Sequence, residues 1–150
     1  MNVNLTTNRL YLAYVPDVET LDWIGSGRCG VYYITCDSEA AGAVSLTSVS
    51  RGHGEIGYEI EPKFHNQGIA TEAVEVVIAY VARHHGFTLL TAQARIDNVA
   101  SVRVLEKNGF VRTGAKLCWP DDGGPTTVAR YRRLTGLGWD ETAGFQSVSP

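Results

Sequence analysis

A strand, a turn and a helix meet in the stretch HNQGIATEA, residues 65–73. Its glycine follows an alternating segment and precedes an amphipathic one, so the turn lies between a strand end and a helix start. The first N–H groups of a helix have no partner within it, and the helix dipole adds partial positive charge at the same end. Such a turn binds phosphate or pyrophosphate through its backbone, without any lysine. The stretch therefore predicts a phosphate-bearing ligand.

The segments on either side of the turn have clear periods. Before it, apolar and polar residues alternate, which predicts a half-buried strand over residues 55–61 with Ile56, Tyr58 and Ile60 on one face. After it, apolar residues recur at helical spacing and predict a helix over residues 70–85. The buried face of that helix is expected to consist of Val74, Val77, Ile78 and Val81.

The rest of the chain is predicted to contain more strands than helices. Strands are predicted at residues 9–14, 31–36, 43–49, 89–96, 110–119 and 126–134, and further helices at 17–24 and 98–108. A meander followed by helix, strand, helix and hairpin is typical of an α+β fold with a mixed, mostly antiparallel sheet flanked by helices. Because two connections contain helices, part of the sheet is expected to be parallel.

The composition is that of an ordinary globular domain. Of the 150 residues, 44% are hydrophobic and 19% are charged, and the net charge of −3 gives no general attraction to nucleic acid or anionic membranes. The three cysteines match neither a metal site nor an even disulfide framework. Residues 1–6 lack the basic and apolar regions of a secretory signal. We therefore expect a cytoplasmic protein with neither nucleic-acid nor membrane partners.

The C-terminal segment, residues 135–150, is Gly-rich and weakly patterned, so it is predicted to be a tail or arm that follows a single domain. It contains Trp139 and Phe145, which have no surrounding apolar pattern from which to build a core. Exposed aromatic residues of this kind often pack on a partner surface, which favours a homodimer.

Two stretches together resemble the GNAT superfamily of acetyl-CoA-dependent N-acetyltransferases, in particular the RimJ/RimL-like branch that acetylates the N-termini of ribosomal proteins. The first is EIGYEIEP, residues 55–62, which runs into residues 65–73; the second is NVASVRVLEKNGF, residues 98–110. The resemblance is traceable over residues 7–134. It implies a GNAT-like acetyltransferase domain over residues 1–134, acetyl-CoA as co-substrate, and direct attack of a primary amine on the thioester in a ternary complex.

The resemblance also implies which residues bind acetyl-CoA. The family motif Arg/Gln-x-x-Gly-x-Gly/Ala is matched by His65, Gly68 and Ala70, and only the first position departs. It implies that the backbone of residues 66–71 holds the pyrophosphate, and that the sheet splays apart beside residues 55–61 and frees backbone groups for the pantetheine arm. Asn98 matches an asparagine beside that arm, although a helix N-cap would also explain it. The residues predicted to bind acetyl-CoA are Ile60, His65, Asn66, Gln67, Gly68, Ile69, Ala70, Thr71 and Asn98.

Removal of a proton from the amine is the first chemical requirement. An aliphatic amine has a pKa of about 10 and an α-amine a pKa of about 8, so both are partly or mostly protonated at neutral pH. A nearby carboxylate can accept this proton. Glu55, at the start of the strand that leads to the turn, is the first candidate for the base, and Glu59 on the same face is the second. The solvated face of an ordinary strand would also account for both glutamates.

Protonation of the departing thiolate is the second requirement. Many family members use a tyrosine seven residues after the asparagine, but Leu105 stands at that position here. Ser101 matches the serine of the RimL-like branch, with an ordinary first-turn serine as the alternative. The resemblance therefore predicts Ser101 as the acid, and it predicts that Leu105→Tyr would return a phenol to the favoured position.

Other interpretations of the sequence stay open. No pair of histidines has the spacing of metal ligands, so no metal is expected. The resemblance favours peptide or protein N-termini as acceptors, with a small amine such as an aminoglycoside, a polyamine or an amino acid as the second choice. Residues 16–30 are short compared with the two helices that the family places there, so a non-catalytic acyl-CoA-binding module is a further alternative.

Overall fold

The structure is a computed structural model that describes residues 3–16, 27–84, 86–119 and 123–135. Its helices are α1 (Ile69–His84) and α2 (Val99–Lys107). Its strands are β1 (Leu5–Thr6), β2 (Leu10–Pro16), β3 (Gly27–Cys36), β4 (Glu39–Ser50), β5 (His53–Ile60), β6 (Leu89–Arg95), β7 (Val111–Cys118) and β8 (Thr126–Leu134). Within the described residues, the strands form one eight-stranded sheet in the order β1-β2-β3-β4-β5-β6-β8-β7.

The predicted fold class is confirmed. Neighbouring strands pair antiparallel except β5 and β6, which are parallel and are joined through α1. The β7–β8 hairpin folds back so that β8 lies between β6 and β7. The result is an α+β structure with a mixed, mostly antiparallel sheet.

The turn between β3 and β4 is shorter than the predicted strands at residues 31–36 and 43–49 imply, because β4 already begins at Glu39. Only Asp37 and Ser38 separate the strands, with φ angles of 51° and 67°. Two successive residues with positive φ match the twist of paired strands, so pairing extends to the turn itself. The short strand β1 was also absent from the sequence prediction.

The core lies between one face of the sheet and the two helices. The four apolar residues that define the period of α1 are at most 4% exposed. They belong to the same buried cluster as Leu12, Val44 and Leu90 from the sheet. On the opposite face, Tyr11 and Tyr33 are about half exposed. Buried and more exposed side chains alternate along β4, β5 and β6, so only one face of the sheet is buried. Neither of the two described helices covers the other face.

Two predictions fall outside the described residues. They are the short helix at residues 17–24 and the C-terminal arm at residues 135–150, of which only Thr135 is described, including the role of this arm in a homodimer. Within the described part, no helix has both the length and the apolar character required to cross a membrane.

Candidate active site

The sheet opens between β5 and β6. Their parallel pairing joins residues 53–55 to residues 89–91 and ends there, although β5 continues to Ile60 and β6 to Arg95. Beyond that point β6 pairs only with β8 among the described strands. The side of β5 that faces β6 therefore has no strand partner from Ile56 onward in the described part of the chain. This divergence is the splay that the sequence predicted beside residues 55–61.

The turn at the end of β5 presents unpaired backbone donors. Asn66 and Gly68 both have positive φ angles, of 61° and 74°. Across the described residues, the N–H groups of residues 66–71 have no acceptor, whereas the N–H of Glu72 bonds the Gly68 carbonyl at 3.0 Å. These donors lie at the positive end of the α1 dipole. A row of free N–H groups at a helix start fits a pyrophosphate.

Arg9, which lies just before β2 in the chain, binds this turn. Its Nη2 donates to the Gln67 carbonyl at 2.6 Å, and its Nε donates to the Glu72 carboxylate at 2.9 Å. The Thr7 hydroxyl donates to the other oxygen of the same carboxylate. Burial acts to raise the pKa of Glu72, but hydrogen bonds from Thr7 and Arg9, together with the Arg9 charge, outweigh it and lower the pKa. The sequence analysis missed Arg9 because the contact spans 58 residues to Gln67 and 63 to Glu72.

The His65 side chain contacts the open edge of β5. Its Nε2 lies 2.8 Å from the Ile60 carbonyl oxygen. Backbone groups of successive strand residues point in alternate directions. The N–H and C=O groups of Ile56 and Tyr58 therefore face the same open side as the Ile60 carbonyl. His65 is the position at which this sequence departs from the family motif, and its imidazole ring thus reaches the end of the opening.

The side chains of the other turn residues are differently placed. Gln67 donates through Nε2 to the Lys63 carbonyl at 3.2 Å, and Ile69 is buried in the core. Ala70 and Thr71 are half-buried in the first turn of α1. Ile69 can therefore contribute to an anion site only through its backbone.

Asn98 is the N-cap of α2. Its Oδ1 accepts a hydrogen bond from the Ser101 N–H at 3.1 Å. This capping role was one of the two interpretations that the sequence left open. The Nδ2 of Asn98 makes no hydrogen bond within the described part of the chain, so a second role remains compatible with the cap.

The two candidate bases lie on one face of β5 but are not close together. Glu55 pairs with Thr91 in the last register position before the strands part, and its Oε1 accepts a hydrogen bond from the Thr91 hydroxyl at 3.2 Å. Glu59 is exposed, opposite Ala43. The two glutamates are four residues apart, or roughly 13 Å at about 3.3 Å per residue. Glu55 is therefore at the vertex of the opening, and Glu59 is nearer to the turn.

Ser101 faces a partner that the sequence analysis did not select. Its Oγ donates to the Tyr58 hydroxyl oxygen at 3.0 Å, and the Tyr58 hydroxyl donates to the Ser101 carbonyl at 2.8 Å. Burial raises the pKa of Tyr58, and the hydrogen bond from Ser101 opposes this only in part. The phenol therefore stays protonated at neutral pH. The alternation of β5 predicted that Tyr58 points inward, but it contained no signal for the contact with α2.

The burial of Leu105 argues against Leu105→Tyr as a source of a phenol at the opening. Leu105 is fully buried within the core cluster, so a tyrosine would overpack the core. We expect this substitution to destabilise the fold rather than to supply a phenol at the opening.

The described residues contain no cluster of three or more histidine, cysteine, aspartate or glutamate side chains able to hold a metal ion. The chemistry available at the opening therefore comes from backbone donors, two carboxylates, a serine and a tyrosine. This set can bind an extended ligand that carries phosphate, and it can accept or donate a proton.

The chain is similar to several known proteins. The profile of the family described as acetyltransferase (GNAT) domain matches residues 9–111. The chain is 34% identical over 85 residues to the probable N-acetyltransferase YjcK of Bacillus subtilis (strain 168), a match covering 55% of this chain and 47% of that protein. It is 27% identical over 90 residues to the ribosomal-protein-serine acetyltransferase of Escherichia coli (strain K12), covering 59% and 50% respectively. The chain thus spans about half the length of these relatives.

The fold is also found among solved structures. One is RimL, a ribosomal L7/L12 alpha-N-protein acetyltransferase, in complex with coenzyme A. It superposes with a TM-score of 0.71 at 20% sequence identity, covering 85% of this chain and 95% of that chain. The similarity confirms the fold that the two sequence stretches predicted.

Proposed function

Because this chain belongs to the GNAT acetyltransferase family, we propose that it transfers the acetyl group of acetyl-CoA to a primary amine, most favourably the N-terminus of a peptide or protein. The observation that carries the proposal is a continuous row of polar groups along which an extended ligand could bind. Free N–H groups at residues 66–71 lead into the open edge of β5, which ends at the Glu55 carboxylate. The ribosomal-protein relatives support an N-terminal acceptor.

The proposed binding of acetyl-CoA uses mainly the backbone. The turn donors would hold the pyrophosphate, and the groups of β5 that face the opening would pair with the pantetheine amides as an added strand does. The Ile60 carbonyl can accept from a ligand as well as from His65, because a carbonyl oxygen has two lone pairs. The free Nδ2 of Asn98 would lie beside the same arm.

The proposed chemistry divides between Glu55 and Ser101. Acetyl-CoA supplies an acetyl group activated as a thioester. Glu55 takes the amine proton, directly or through water, so that the neutral amine can attack the thioester carbonyl. The C–S bond then breaks, and the departing CoA thiolate takes a proton through the Ser101 hydroxyl. Glu55 and Glu59 also place two negative charges on one face, which attracts a cationic amine. No covalent enzyme intermediate is required, and neither family stretch contains a cysteine.

An acceptor screen that follows CoA release tests the proposal. We expect release with short peptides that have a free N-terminus, including N-terminal serine, and none with the same peptides after N-terminal acetylation. Turnover confined to polyamines, aminoglycosides or amino acids would change the acceptor class to small amines. Tight binding of acetyl-CoA without turnover on any amine would identify a non-catalytic acyl-CoA-binding module.

Ser101→Ala should lower turnover by about tenfold to a hundredfold, at the low end of acid catalysis, with little change in acetyl-CoA affinity. The effect is modest because a thiol has a pKa of about 8.5, so the thiolate is a tolerable leaving group. Single-turnover kinetics would measure the chemical step. Full turnover in Ser101→Ala, when chemistry limits the rate, would leave Ser101 as a first-turn residue only.

Tyr58→Phe is the matched comparison for Ser101→Ala. It keeps the aromatic ring and the Ser101 hydroxyl but removes both hydrogen bonds between the two side chains and the α2 backbone. If Ser101 itself donates, Tyr58→Phe should lose less activity than Ser101→Ala. Equal losses would show that Ser101 acts only through Tyr58.

A further inference from the structure

We propose that Thr91 and His53 are positioning residues for the Glu55 carboxylate. The His53 Nε2–H donates to the Thr91 hydroxyl oxygen, and the Thr91 hydroxyl donates to Glu55. This inference rests on the proposed function, because it takes Glu55 as the group that receives the amine proton.

The geometry joins the three side chains in one line at the vertex of the opening. The His53 Nε2 lies 2.9 Å from the Thr91 Oγ1, which lies 3.2 Å from the Glu55 Oε1. Glu55 and Thr91 are register partners in the last pair before β5 and β6 part. His53 precedes Glu55 by two residues and therefore lies on the same face of β5. Both hydrogen bonds thus depend on the register of the parallel pair.

The direction of the hydrogen bonds follows from the number of protons. An ionised carboxylate can only accept hydrogen bonds, so the single hydroxyl proton of Thr91 is committed to Glu55. The Thr91 oxygen must then accept from His53, and His53 must carry a proton on Nε2. Each hydrogen bond is therefore donated towards Glu55, and the series ends at the Glu55 carboxylate.

This arrangement would orient the base for catalysis. Glu55 has a flexible side chain on a half-buried strand face, whereas Thr91 is β-branched and has restricted rotamers. The hydrogen bond from Thr91 restrains Oε1, and Oε2 has no partner in the described part of the chain. A restrained carboxylate with one free oxygen is suited to receive a proton from a bound amine or from a water molecule.

The other described groups next to Glu55 and Thr91 on this face do not provide the same restraint. Thr47 lies directly opposite Glu55 on β4, yet the described residues show no hydrogen bond between them. Arg132 lies opposite Thr91 on β8, and it forms no ion pair with Glu55. Thr91 is therefore the hydroxyl to test, and Thr47 is its matched control.

Steady-state kinetics on five variants test this hydrogen-bond relay from His53 through Thr91 to Glu55. Thr91→Val removes only the hydroxyl and should lower kcat about tenfold with an unchanged KM for acetyl-CoA. Thr91→Ser, which retains the hydroxyl, should restore most of that rate, and Thr47→Val should match the wild type. In a Glu55→Gln background, Thr91→Val should add almost no further loss, because groups that act as one unit are not additive.

The outcomes separate the relay from the proposed function. If Glu55→Gln is slow but Thr91→Val is as fast as the wild type, the relay is overturned and the base assignment stands. If Glu55→Gln retains full activity, the base assignment fails and the relay fails with it. Additive losses in the double variant would likewise contradict a shared role.

A measurement without turnover tests the direction of the hydrogen bonds. The imidazole ¹⁵N spectrum of the full chain, recorded for the neutral ring, should show His53 protonated on Nε2. In Thr91→Val this preference should weaken, because the acceptor is gone. A neutral His53 protonated on Nδ1 in the wild type would overturn the relay whatever the kinetics show.

Discussion

Replacing Glu55 with glutamine should lower the acetylation rate by about 10²–10⁴-fold, the usual cost of removing a general base. Glutamine has nearly the same size and shape and retains a carbonyl oxygen that can accept from Thr91, but it cannot take a proton from the amine. The expected loss is therefore chemical rather than structural. Single-turnover rates with a peptide acceptor, together with thermal unfolding of the variant, would measure the two separately.

The dependence of this loss on pH identifies its cause. An α-amine has a pKa of about 8, so raising the pH increases the fraction that is already neutral and needs no base. The deficit of Glu55→Gln should therefore shrink as the pH rises from about 7 to about 9.5. If the variant follows the wild-type pH–rate profile at the full rate, Glu55 is not the base and the proton goes to Glu59 or to solvent.

Two other glutamates provide controls for Glu55→Gln. Glu75 is exposed on α1, away from the opening, so Glu75→Gln should behave as the wild type. Glu59→Gln removes the second candidate base on the same strand face. A large loss of rate in Glu59→Gln with a small loss in Glu55→Gln would identify Glu59, nearer to the turn, as the general base.

Gly68→Asp should weaken the binding of acetyl-CoA by an order of magnitude or more, which corresponds to at least about 1.4 kcal/mol. The substitution places a carboxylate among the N–H groups proposed to bind the pyrophosphate, so it adds charge repulsion to steric obstruction. A Cβ at this position would stand 3.3 Å from the Arg9 Nη2, at a backbone φ of +74°. Isothermal titration with acetyl-CoA measures the loss. Unchanged affinity in a folded Gly68→Asp protein would refute the assignment of the turn.

Two controls separate the causes of this weakening. Gly68→Asn introduces a side chain of similar size without the charge, in a residue type that tolerates positive φ. Its smaller loss would measure obstruction and strain alone. Gly86→Asp has a similar φ of +70° but lies just after α1, with no atom within 4 Å of the added Cβ. It should affect stability without affecting acetyl-CoA affinity.

Much of the fold could be predicted because it depends on short-range patterns. The period of Val74, Val77, Ile78 and Val81 placed the buried face of α1, and all four are buried. The alternation of residues 55–61 placed β5, and Asn98 was recognised as a cap from its position before an apolar helix pattern. Gly68 was recognised because it stands between a strand pattern and a helix pattern, where N–H groups are left without partners; the structure adds that its φ is positive, at 74°. Each of these signals lies within a few residues of the feature that it predicts.

The contacts at the opening were decided by the tertiary structure instead. Arg9 reaches the turn from just before β2, Ser101 reaches Tyr58 from α2, and Thr91 joins Glu55 through the register of two parallel strands. These partners are 58, 43 and 36 residues apart in the sequence. Local propensity and periodicity act over one or two turns or a single strand, so they determine which face a residue occupies but not its neighbour on that face. The sequence by itself therefore predicted most of the strands and helices, the turn proposed to bind phosphate and the candidate glutamates. The packing of β5 against β6 and α2 decided which side chains contact them.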